Sequence, residues 1–157
     1  MHVLKDVLLS LFAARADRPR PKSAQALVEF ALIAPLLAMM LMGATDLTRA
    51  FYTYIVLSNA SREAARVIVD YPQQYTDTAA CTAAHNEALP FLNLACPATI
   101  VISPAANTGV SPPQRVPGRQ PVTVTAKADF KPITILIQWF MGTTITIQAS
   151  TTYLAWY

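Results

Sequence analysis

Charge is what this chain has least of. Asp, Glu, Lys and Arg make up 13% of its 157 residues, about half the share usual in a soluble globular protein. Apolar residues reach 54%, so some apolar surface is meant for lipid, for partner proteins, or for both. A net charge of +3 is too small to suggest nucleic acid, and no such partner is expected. Catalytic signatures are missing too. The chain holds no Gly-rich phosphate loop, no Gly-x-Ser-x-Gly elbow and no His-Glu-x-x-His stretch. His85 and Glu87 lie close enough to suggest a weak metal or acid/base pair, but two side chains do not make a site. Exposed polar residues on a small helix explain them more simply. No enzyme activity, metal, cofactor or small-molecule substrate is expected. Cysteine is scarce, with Cys81 and Cys96 alone. An even, minimal count fits one disulfide if that region meets an oxidising compartment, the alternative being two buried thiols. A bridge would close a loop of about 15 residues, worth on the order of 3 kcal/mol in the chain-entropy model.

One long stretch has no charge at all. Residues 30–44 are dominated by Leu, Met, Ala and Ile, and extension upstream to Ala24 adds a single ionisable group, Glu29. A helix over residues 23–45 would be about 35 Å long, and a hydrocarbon core is about 30 Å thick. Pro35 and Gly43 would weaken a soluble helix, yet both residues are commoner in membrane helices. A core helix of a soluble protein is the alternative, and it leaves a run with no polar face unexplained. Flanking charge gives the orientation. Lys5, Arg15, Arg18, Arg20 and Lys22 precede the run, whereas Arg49 and Arg62 are the only basic residues soon after it. The positive-inside bias predicts a cytoplasmic N-terminus and an exported C-terminus. The residues after Gly43 continue as helix and offer no small-residue cleavage site, unlike an ordinary secretory signal. Glu29 would cost about 2.5–3.5 kcal/mol at mid-bilayer and less near an interface. Either it reaches the headgroups, or its charge is matched by a partner cation during assembly.

Helical periodicity continues past the run. Leu47, Phe51, Tyr54, Leu57 or Ser58, Ala64 or Ala65, and Ile68 recur at three- and four-residue spacing, with Arg49, Arg62, Glu63 and Arg66 between them. No Gly or Pro interrupts until Pro72. One helix of about 45 residues is expected, its first half in lipid and its second on a domain. Residues 78–89 are Ala-rich and suit a second helix, with Asp77 or Thr78 as its N-cap. Residues 98–103 read as a short strand. Residues 104–121, with five prolines and two glycines, read as an extended loop. Residues 121–130 and 143–153 alternate apolar and polar side chains as half-buried strands do, and should pair antiparallel against the long helix. Between them, the apolar connector 133–141 suits a short helix that is either core or membrane-surface contact. It is too short to span.

Several polar residues fall into one pattern with this helix. Ser-Ala-Gln-Ala-Leu-Val-Glu-Phe-Ala-Leu over residues 23–32 is followed by Pro35, the apolar run, Asp46-Leu47 and Arg49-Ala50-Phe51-Tyr52. Leu57-Ser58-Asn59-Ala60 and Arg62-Glu63-Ala64-Ala65-Arg66 complete it. The chain closely resembles the TadE-like family, minor pseudopilins of the Tad (tight adherence, Flp-type) pilus system. The resemblance is dense over residues 23–67 and looser over the C-terminal strands. It implies a pilin-like α+β fold. A cytoplasmic leader (1–24) precedes a long helix (25–71), and an exported head (72–157) follows it. It also implies cleavage by a prepilin peptidase between Ala24 and Gln25, where the family usually has Gly before the cut. Removal of 24 residues from 157 would leave 133. Glu29 would then be the fifth mature residue and Phe30 the sixth, both serving assembly. The new amine of Gln25 is the sort of cation that a neighbouring subunit's Glu29 neutralises in an apolar bundle.

The resemblance implies a structural or assembly component of a pilus that serves surface adherence. It would sit in a bacterial inner membrane with its head in the periplasm. Implied partners are membrane lipid, the prepilin peptidase, other pseudopilins and the Tad inner-membrane assembly proteins. A membrane-tethered binding domain that never joins a filament has the same topology, and only Glu29-Phe30 and the leader separate the two.

Overall fold

The computed structural model describes residues 22–70, 77–106 and 120–155. The basic leader, the Pro72 stop, most of the Pro-rich loop and the terminal Trp156 and Tyr157 lie outside the described residues. The chain divides into two compact units, Met1–Met40 and Leu41–Tyr157.

The described part of the first unit is the start of α1, Lys22–Asp70, a helix of 49 residues. Ala, Leu and Met lose little side-chain freedom in a helix, which favours this conformation locally. Pro35 sits inside α1 and has no N–H to return to the preceding turn. Leu27, Phe30, Leu32, Leu36 and Met40 are all exposed. α1 is the one helix among the described residues long and apolar enough to cross a membrane.

In the second unit, α1 packs against an α+β layer. α2 spans Asp77–Ala88, β1 Ile100–Ser103, β2 Pro121–Phe130, α3 Ile135–Met141 and β3 Ile145–Leu154. The three strands form one antiparallel sheet in the order β1-β2-β3. Ile100 faces Ala126 across the β1–β2 pair, and Ala126 faces Ala149 across the β2–β3 pair. The sheet is two-faced because its sequence alternates. Val122, Val124 and Ala126 are fully buried. The opposite face carries hydroxyl pairs, Thr123 with Thr152 at 2.7 Å and Thr125 with Ser150 at 2.8 Å. Such pairs satisfy polar groups across neighbouring strands without a core.

Leu57, Ala60, Ala64, Ala65 and Ile68 from α1 share the core with Ala80, Cys81, Ala84 and Ala88 from α2 and with the inner sheet face. Alanine at this density lets backbones approach closely. Ser61 Oγ lies 2.7 Å from Thr151 Oγ1, a polar tie between α1 and β3.

The buried stripe of α1 differs from the expected one in its first half. Leu47 and Phe51 are 71% and 65% exposed, and Tyr54 is exposed as well. Asp46, Ala50 and Thr53 turn inward instead. Both stripes have three- and four-residue spacing and differ by one position, about 100° around the helix. From Leu57 onward the expected and observed faces coincide.

Candidate functional site

Two places on α1 carry the chemistry, one in each unit. In the first, Ala24, Gln25, Glu29 and Phe30 are all exposed. Four-residue spacing places Gln25 and Glu29 on one face, and Gln25 Nε2 donates to Glu29 Oε1 at 3.1 Å. Phe30 adjoins them with its ring uncovered. The segment thus presents one acid, one amide and one aromatic ring outward from an apolar helix.

The second place is Asp46, part of the Asp46-Leu47 pair in the family-like pattern, to which the pattern alone assigns no role. It is only 2% exposed. Its carboxylate accepts the Ile133 N–H at 3.0 Å on Oδ1 and 2.9 Å on Oδ2, and the Thr134 N–H at 2.7 Å on Oδ2. Arg49, one turn on, donates from Nη1 to Oδ1 at 3.2 Å, and its guanidinium carbon stands 5.2 Å from the Phe130 ring centre. Thr134 is the N-cap of α3 and makes no capping bond with its own side chain. A side chain from another helix therefore takes up the two N–H groups just ahead of the first turn of α3. The Ile133 N–H holds the Asp46 carboxyl below its ordinary value, burial opposes this, and the Thr134 N–H and the Arg49 charge add to the lowering.

This junction carries α3 outward from the end of the β2–β3 hairpin. Gln138 Nε2 turns back to the Pro132 carbonyl at 2.7 Å, and no α3 residue is buried. Beside the junction is an open cleft of about 550 Å³ lined by Arg49, Tyr52, Phe91, Phe130 and Lys131 among others. Tyr52 and Phe91 meet edge to face there, 5.1 Å between centres.

Cys81 on α2 and Cys96 ahead of β1 are joined in a disulfide, their Cα atoms 5.7 Å apart. His85 Nδ1 lies 3.0 Å from the Leu94 carbonyl oxygen, so the ring ties α2 to the segment before β1. Among the described residues no cluster of three His, Cys, Asp or Glu side chains could hold a metal ion.

The signal for Asp46 was present in the sequence. It stands in phase with Ala50, Thr53, Leu57, Ala60 and Ala64, so an acid heads the buried stripe. Its partners, 87 and 88 residues away, leave no local trace.

A long helix with an apolar, uncovered first part and a second part packed on a small antiparallel sheet defines an α+β protein whose one long helix could cross a membrane. Residues 24–66 match the model of the TadE-like protein family. Over that stretch of α1, which takes in both Glu29 and Asp46, the chain is similar to TadE-like proteins. No curated protein matches the chain, and no solved structure does.

Proposed function

We propose that this chain is a minor pseudopilin, a structural or assembly component of a Tad-type pilus needed for pilus biogenesis and surface adherence. The match to the TadE-like family over residues 24–66 carries the reading. The apolar part of α1 anchors the chain in the bacterial inner membrane, with the leader cytoplasmic and the head exported. A prepilin peptidase cuts between Ala24 and Gln25, and Ala is small enough for a tight protease subsite. The freed amine of Gln25 then meets the Glu29 carboxylate of a neighbouring pseudopilin, where an unanswered charge in lipid penalises wrong register. Other pseudopilins and Tad inner-membrane assembly proteins are the partners, and no catalytic step is assigned.

Sequencing the N-terminus of the membrane-extracted protein tests processing: Gln25 is expected, and an intact Met1 favours an unprocessed tethered domain. Glu29→Ala tests assembly. The variant should remain in the membrane fraction while piliation is lost. Full piliation with that variant would refute the pairing.

A further inference from the structure

We infer that α3 is an in-plane foot that lies in the interfacial layer of the bilayer that α1 crosses, at the level where α1 leaves the hydrocarbon. The inference rests on the membrane-spanning reading of α1. Its ground is the composition of α3 together with the place where Asp46 holds it.

α3 reads Ile-Leu-Ile-Gln-Trp-Phe-Met. A helix apolar on all sides is ordinarily buried in a core or in lipid, yet Ile135, Trp139 and Phe140 are 81%, 77% and 72% exposed. Ile133 ahead of the helix and Met141 at its end are exposed as well. The only polar side chain, Gln138, is turned onto the Pro132 carbonyl. A contiguous patch of this kind on a small head marks a surface meant for something apolar.

The tether says what that is. Asp46 binds the Ile133 and Thr134 N–H groups at 2.7–3.0 Å, so α3 begins within one hydrogen bond of α1. Asp46 follows directly on the charge-free run that ends at Thr45. The staple therefore fixes the start of α3 at the depth where α1 passes from hydrocarbon to headgroups. Trp and large apolar side chains are favoured at that depth, where the indole ring stays apolar on one side and hydrated on the other. Exposed Lys131 stands two residues before Ile133, with a long stem suited to reach phosphate from the same layer. A protein partner would have no reason to be met at that one level, whereas the bilayer is there whenever α1 is inserted.

The test reads the depth of Trp139 in the full chain. Trp156→Phe leaves Trp139 as the sole indole, and the protein is reconstituted in phosphatidylethanolamine–phosphatidylglycerol vesicles whose acyl chains carry bromine near either the carbonyl or the methyl end. A companion with Leu37→Trp, Trp139→Phe and Trp156→Phe reports the spanning segment independently. The expected result for Trp139 is blue-shifted emission, with more of it lost to bromine near the carbonyl end than to bromine near the methyl end. The Leu37→Trp companion should show the opposite order. If Trp139 stays open to aqueous acrylamide and neither lipid quenches it while the companion is quenched, the span stands and the foot is refuted. Shielding from both lipid and acrylamide that fades as protein is diluted in the bilayer would instead assign α3 to a second copy, and refute the lipid occupant. An unquenched companion would remove the span, and the foot with it.

Discussion

A buried carboxylate must replace the water it loses, and Asp46 does so with the N–H groups of Ile133 and Thr134 and the guanidinium of Arg49. Hydrogen bonds from backbone donors favour the ionised form, so the folded state lowers the pKa of this group from its ordinary 3.8. The sign of the linkage follows. A carboxyl with a depressed folded pKa contributes stability that is fully present above the unfolded value and is lost as pH falls through the folded one. Thermal unfolding of the detergent-solubilised protein should therefore show a fall in Tm below about pH 3.8 that Asp46→Asn reduces. At neutral pH the same variant should be less stable than the parent, because an amide cannot accept from both N–H groups with two charged oxygens. Equal Tm values at pH 7 would mean that the staple adds nothing to the fold. Ser61 is a milder case. It is fully buried; its hydroxyl donates to the Ser58 carbonyl at 2.9 Å and meets Thr151 Oγ1 at 2.7 Å, so Ser61→Ala, which loses both bonds, should cost about 1–3 kcal/mol.

Between elements, contact is made by small side chains. Ala60, Ala64 and Ala65 of α1 are fully buried, as are Ala80, Ala84 and Ala88 of α2. Where helices and a sheet meet through alanine, an added isobutyl group has no space unless a backbone shifts. Ala64→Leu should therefore destabilise the head by about 1–3 kcal/mol, and Leu57→Ala, which opens a cavity in the same core, by about 2–5 kcal/mol. Arg62→Ala, on the exposed side of the same helix, should stay within about 0.5 kcal/mol of the parent. Denaturant unfolding of the three variants checks the ranking; an undamaged Ala64→Leu would mean that this helix face is not tightly packed. These elements were legible in the sequence to different degrees, for physical reasons. β2 was readable to the residue, since one face meets solvent and Val122, Val124 and Ala126 alternate with Thr123, Thr125 and Lys127. The four residues of β1 carry too little pattern to reveal that they pair with β2. Between Asp46 and Tyr54 the apolar periodicity points one residue away from the buried face, because exposed Leu47 and Phe51 carry the same spacing as inward Asp46 and Ala50, and a charged residue carries no apolar signal for burial. The connector that becomes α3 was ambiguous, because core and lipid select the same residues, and only its exposure separates them.

For the molecule as a whole, two independent features bear on which side of the membrane the head occupies. One is the distribution of charge. Arg15, Arg18, Arg20 and Lys22 precede the apolar run while Arg49 and Arg62 follow it, and the positive-inside bias favours a cytoplasmic side for the denser cluster. The other is chemical. The Cys81–Cys96 bridge ties α2 to the segment before β1, and such a bond persists in an oxidising compartment but not against a cytoplasmic thiol pool. Cys81 is 1% exposed, so once formed the bridge is shielded on one side by the core. Both features lead to the same expectation. Cells quenched in acid and treated with a mass-tagged maleimide should yield untagged protein, with two tags added per chain only after denaturation and reduction. Reduction should also lower the Tm of the head, by an amount consistent with a loop constraint on the order of 3 kcal/mol. Two tags without reduction would place the head against a reducing solvent. The charge asymmetry would then have failed to set the topology, and a head left in the cytoplasm has no route to a surface pilus.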